Sequence, residues 1–182
     1  LNYESIMEPV RFDNEVERRE AVAIDRLVSI RTLQEAYKTE NRRFLSSTDS
    51  LIDFYKNGQI TIIRQIGSMD DSVAVAEGRV SRDSIRIFVR DTLLKGKGSL
   101  IDSISFIPYS GGKRIHMESV IRKVSGIEIP LFEATIPYDD LLNGLDRQLV
   151  VNLKAEKEDM KQYTGLKVGD IENPNNNAGN WE

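Results

Sequence analysis

The sequence has no cysteine. Disulfides, thiol catalysis and thiolate metal sites are therefore excluded. Compartment is not decided by this, because many bacterial envelope proteins also lack cysteine. Histidine occurs once, at His116. One imidazole makes neither a metal cluster nor a catalytic triad without partners at set spacing, so His116 reads as a plain strand residue. No apolar run approaches the ~20 residues that span a bilayer. There is no Asn-x-Ser/Thr glycosylation acceptor. The net charge is -4 with both signs interspersed, and no basic run carries interleaved aromatics, which argues against nucleic acid as a partner. Gly-x-Ser-x-Gly, His-Glu-x-x-His and calcium-loop patterns are missing, so the common enzyme classes find no support. The loop Lys95-Gly96-Lys97-Gly98-Ser99 lacks phosphate-loop spacing and a preceding strand. The adjacent Asp139 and Asp140 read as cap and first-turn charge of a short helical turn, not as an acid–base pair. No residue pattern implies a cofactor or a metal.

What is present is one long amphipathic stretch, from Asp13 to about Lys38. Val16, Ala23, Leu27, Ile30 and Tyr37 make a stripe, widened by Ile24, Val28 and Leu33, and this spacing predicts a helix with one buried face. Asp13 is the expected N-cap, and Glu15 can reach Arg18 and Arg19 one turn away. Gln34 is expected to face solvent beside Lys38. A span of about 26 residues would be roughly 39 Å long. Such a rod either supports a sheet along its length or projects from the domain to meet a partner.

Residues 1–12 read as a lead-in, because Pro9 disfavours helical geometry at Glu8. Leu1, Tyr3, Ile6 and Met7 give it an apolar and aromatic character suited to the border of a removed membrane anchor or to a frayed terminus. Tyr3, Ile6, Met7, Phe12 and Val16 are the candidate partner-interface residues. A short capped helix is expected from Ser47 or Thr48 to Gly58. Thereafter alternation predicts strands over 59–67, 72–82, 84–90, 100–109, 113–124, 126–137, 147–158 and 163–168, with Asp83 in a turn and Ser110-Gly111-Gly112 in a hairpin. Pro130 points to an edge or bulge. The tail 171–182, with five asparagines in twelve residues, is expected to be disordered. The class is α+β: one domain over 13–170, a long N-terminal helix packed on an antiparallel β-sheet.

The segment Ile30–Phe54, IRTLQEAYKTENRRFLSSTDSLIDF, resembles the post-membrane part of type IV pilins and pseudopilins, with Ile30, Arg31, Ala36, Tyr37, Phe44, Leu51 and Phe54 in the corresponding apolar or aromatic places. It is also similar to membrane-anchored envelope proteins of Bacteroidetes that begin this way after a single apolar helix. The resemblance covers about a seventh of the chain. The pilin cleavage site and its acidic residue are not in this sequence, and the C-terminal disulfide of many pilins cannot form. The resemblance implies a non-enzymatic, pilin-like cell-envelope protein, periplasmic or surface-facing. It would be tethered to the inner membrane through a helix absent from this chain and used for self-assembly or a protein partner. Two other readings stay open: a soluble binding module with a pocket between helix and sheet, and an enzyme that uses only Asp, Glu, Tyr or Lys.

Overall fold

A computed structural model describes residues 3–66, 70, 72–78 and 81–182. Helix α1 runs Tyr3–Asn41, 39 residues or about 58 Å at 1.5 Å per residue. It therefore starts ten residues before the expected Asp13 cap and passes through Pro9. Proline leaves one carbonyl of the preceding turn without its donor.

The stripe behaves as its spacing predicts: Val16, Ala23, Leu27, Ile30 and Leu33 are buried. Gln34 departs from expectation. It is fully buried and makes a two-point bond with the backbone of Leu45, Nε2 donating to the carbonyl at 2.7 Å and Oε1 accepting from the N–H at 2.8 Å. The loop after α1 is thereby fastened to the helix.

Helix α2 (Thr48–Asn57) has Ser47 as N-cap and Gly58 as C-cap. Strands β1 (Gln59–Ile66) and β2 (Ser81–Phe88) pair antiparallel as a separate two-stranded sheet. Asp83 lies inside β2, opposite Arg64, and not in a turn. The expected strand over 72–82 is instead helix α3 (Ser72–Ala76), with residues 71, 79 and 80 outside the described set. Its Val-Ala-Val-Ala alternation mimics a strand, yet Val73 and Val75 are exposed, so no buried face enforces period two.

The expected strand over 100–109 is also overturned. Residues Gly98–Ser105 form a 3-10 helix, and Ile101, Ile104 and Ile107 are buried at steps of three, the 3-10 period. Ser110-Gly111-Gly112 closes a loop held by the single bridge Phe106–Arg114. The tight hairpin lies further on, between β3 (His116–Val124) and β4 (Ile127–Pro137). Ser125 and Gly126 connect them, with φ of 52° and 82° as a two-residue turn of this hand requires. Strand β5 (Gly165–Gly169) completes a three-stranded sheet in the order β3-β4-β5. Pro130 falls where β4 has β3 as its one neighbour, because β5 pairs with Glu133–Pro137 alone. The edge expectation thus agrees with the register.

Between β4 and β5 lie α4 (Tyr138–Leu141) and α5 (Arg147–Asp159). Pro137, and neither Asp139 nor Asp140, caps α4. The expected strand over 147–158 is α5. Val150 and Leu153 pack inward three residues apart, as a helix requires, Val151 stays exposed, and Asp146 caps Leu149 N–H at 3.0 Å. The tail 171–182 is folded, contrary to the expected disorder. Asn180 accepts from Lys167 N–H through Oδ1 at 3.1 Å and donates its own N–H to the Lys167 carbonyl at 2.9 Å. The tail so covers the edge of β5, which explains why an asparagine-rich segment is ordered. The α+β class holds: a long N-terminal helix with antiparallel sheets, the described residues forming five strands in two sheets where one larger sheet was expected. The core lies between α1 and the three-stranded sheet, centred on Leu27, Ile30 and Leu33 against Phe132, Ala134 and Val168.

Candidate functional site

Sheet, helices and tail converge at the end of β5. Pro137 turns the chain out of β4, and the Tyr138 N–H donates to the Thr164 carbonyl at 3.0 Å, which fixes Tyr138 beneath α1. Its hydroxyl donates to the Glu20 carboxylate on α1 at 3.2 Å. Helix α5 brings Lys157, and the chain between α5 and β5 brings Gln162 and Tyr163. The tail closes the far side with Asn180 and Trp181. These residues line a cleft of about 370 Å³, within the range of small-ligand sites. Asn180 also donates to the Gly165 carbonyl at 2.9 Å, and Glu182 pairs with Arg31 of α1 at 2.8 Å. Gly179 is needed for this wall: a Cβ there would strike the Trp181 indole.

The cleft is electrostatically mixed. Burial raises the Glu20 carboxyl above its ordinary value of 4.5, against the opposing pull of the Tyr138 bond and the Lys157 charge. Burial, reinforced by Glu20, pushes the Tyr138 phenol well above its usual value. Burial also raises Tyr163. Lys167 is balanced by Glu133 at 3.3 Å and Asp170 at 3.5 Å. Among the described residues Lys157 has no such ion pair. Both tyrosines are held in their neutral forms, so Tyr138 orients a carboxylate; it is not an activated nucleophile.

The raised Glu20 value has a measurable consequence. A carboxyl that binds its proton more tightly when folded costs the native state stability once it ionises, so this cost appears as pH rises past 4.5. Glu20→Gln keeps an acceptor for Tyr138 and removes the charge. The variant is expected to melt higher than the parent at pH 7, with the gap closing below pH ~4.5. A gap independent of pH would show that burial of this charge is not its cause.

The candidate interface residues fall elsewhere. Val16 belongs to the core of the domain itself. Phe12 is partly buried against that core, and with Glu8, Arg11, Glu15, Leu145 and Leu149 it lines a shallow groove. Met7 is half-buried, and the side chains of Tyr3 and Ile6 lie outside the described set. Glu15 meets Arg18 at 2.6 Å and Arg19 at 3.0 Å as expected, and these two bonds lower its carboxyl to about 2. His116 is exposed and bonded to Glu118 at 2.8 Å. Asp139 pairs with Lys154 at 2.8 Å. Lys97 pairs with Asp25. Among the described residues no cluster of three His, Asp or Glu could hold a metal, and no helix is long and apolar enough to cross a membrane.

Sequence reasoning missed the cleft because its members lie far apart in the chain: Glu20 and Tyr138 are 118 residues apart. The usable signals were Pro137 before an aromatic and a lone tryptophan in a polar tail. No protein-family model, curated protein or solved structure matches the chain.

Proposed function

We propose that this chain is a non-enzymatic, pilin-like ectodomain of the cell envelope, periplasmic or surface-facing, tethered to the inner membrane through an N-terminal helix and used for assembly or partner binding. One observation carries the reading. Helix α1 has two parts. From Phe12 to Leu33 its apolar face packs on the rest of the domain, whereas residues 8–11 are exposed. The helix before Phe12 amounts to about 14 Å of rod ahead of the packed core. A globular domain gains little core from such a rod, and a domain held away from a surface or stacked on neighbours gains reach.

The test is a photocrosslinking amino acid placed at Val10 on the rod, compared with one at Val151 on α5; both side chains are 46% exposed. In the natural host, Val10 is expected to give a discrete adduct with a neighbouring copy or a partner, and Val151 none. Absence of any adduct from Val10 would count against the rod as an assembly element. The cleft favours a second reading, a soluble ligand-binding module that uses the space between helix and sheet.

A further inference from the structure

The cleft chemistry restricts what can occupy it. On one side the Glu20 carboxylate is held by Tyr138 at 3.2 Å, leaving lone pairs free to accept from a ligand. On another side is the Lys157 ammonium, whose charge Glu20 senses and which makes no ion pair among the described residues. A simple anion would satisfy Lys157 and be repelled by Glu20. A simple cation would do the reverse. Neighbouring hydroxyl groups satisfy both, because each hydroxyl donates and accepts. Gln162 adds an amide able to do the same.

The walls narrow the class further. Tyr163 and Trp181 line the space, and Gly179 leaves room for the indole to lie in place. Aromatic faces carry partial negative charge and attract the weakly positive C–H edges of a saturated ring. A volume of about 370 Å³ is too small for a protein segment of any length and suits a small ring compound.

We propose that this cleft is a saccharide-binding site for one or two neutral pyranose units. The sugar ring packs against Trp181, one hydroxyl donates to Glu20 and a neighbouring hydroxyl accepts from Lys157. The assignment goes beyond the tethering reading and does not depend on it, since it concerns only the head.

Trp181 is the sole tryptophan of the chain, so its emission reports on the cleft alone. The full chain is titrated with glucose, galactose, mannose, N-acetylglucosamine, cellobiose and maltose, and separately with potassium phosphate and glycine. The expected result is a saturable change in Trp181 emission with at least one sugar, and none with phosphate or glycine. Lys157→Met and Glu20→Gln should each raise the apparent Kd about tenfold or more, a loss near 1.4 kcal/mol. Lys157 makes no side-chain bond among the described residues, so Lys157→Met keeps the test readable if Glu20→Gln perturbs the helix; far-UV circular dichroism verifies both. No saturable sugar response, a response to phosphate or glycine alone, or sugar affinity unchanged in both variants overturns the assignment.

Discussion

Phe132→Ala should destabilise the protein by about 3–5 kcal/mol, the range for removing a fully buried aromatic ring from a core. Phe132 is wholly inaccessible and faces Phe44 with ring centroids 4.8 Å apart at 56°. It lies on the central strand β4, where α1, the loop after α1 and the sheet meet. Rigid walls on all three sides limit collapse into the vacated space, so the cavity penalty adds to the lost transfer free energy. Equilibrium urea unfolding should show a lower midpoint at unchanged slope. For a chain of this size the melting temperature should fall by roughly 6–20 °C. A loss below about 1 kcal/mol would mean that the centre of the core lies elsewhere.

The second large effect is polar. Gln34→Leu keeps side-chain volume and removes both bonds to Leu45, at 2.7 and 2.8 Å. The Leu45 N–H and carbonyl then face an apolar methyl pair in a partly buried setting. Each unsatisfied group costs about 1–3 kcal/mol, so a total of about 2–6 kcal/mol is expected. Apolar burial would predict the opposite sign, because leucine is the more hydrophobic residue. The sign of the measured change therefore decides which effect holds the loop 42–47 to α1. A neutral or stabilising outcome in thermal unfolding would show that these two bonds do not hold it.

Gln34 also illustrates how far sequence reasoning reached. Its neighbours along α1 were legible, because a helix that buries one face repeats its apolar residues every three or four positions. Gln34 was read as a surface residue because a glutamine carries no mark of a buried backbone partner eleven residues away. The short capped helix α2 and strands β1, β3, β4 and β5 were legible from caps, glycines and alternation. The failures share one cause. In α3, in the 3-10 helix over Gly98–Ser105 and in α5, short apolar runs fit more than one period; tertiary burial made the choice in the last two, while the exposed valines of α3 had no buried face to impose period two. Val151 exposed beside Val150 buried distinguishes a helix from a strand only after the fold is known. The tail was misread for a related reason: asparagine content signals poor core-forming ability, yet Asn180 acts as a strand partner for β5 and needs no core. The cleft was illegible because proximity among α1, α4, α5 and the tail is a product of the fold and leaves no spacing in the sequence.

The folded tail ties these levels together. Arg31 on α1 holds both Glu182 at 2.8 Å and the Asn177 carbonyl at 3.2 Å. The same helix that carries the exposed rod thus also fixes the wall that carries Trp181. Rod and cleft share one helix, with Glu20 only one turn beyond Val16, so partner engagement at the rod and ligand occupancy of the head can be examined in one molecule.

The most direct test of the central claim is fractionation of the product of the natural gene in its own host. A tethered product is expected to pellet with inner membranes, stay there through high salt and alkaline carbonate, and be released by detergent. Recovery of the intact product in the soluble fraction after cell disruption would contradict the tether and leave the soluble binding module as the reading that stands.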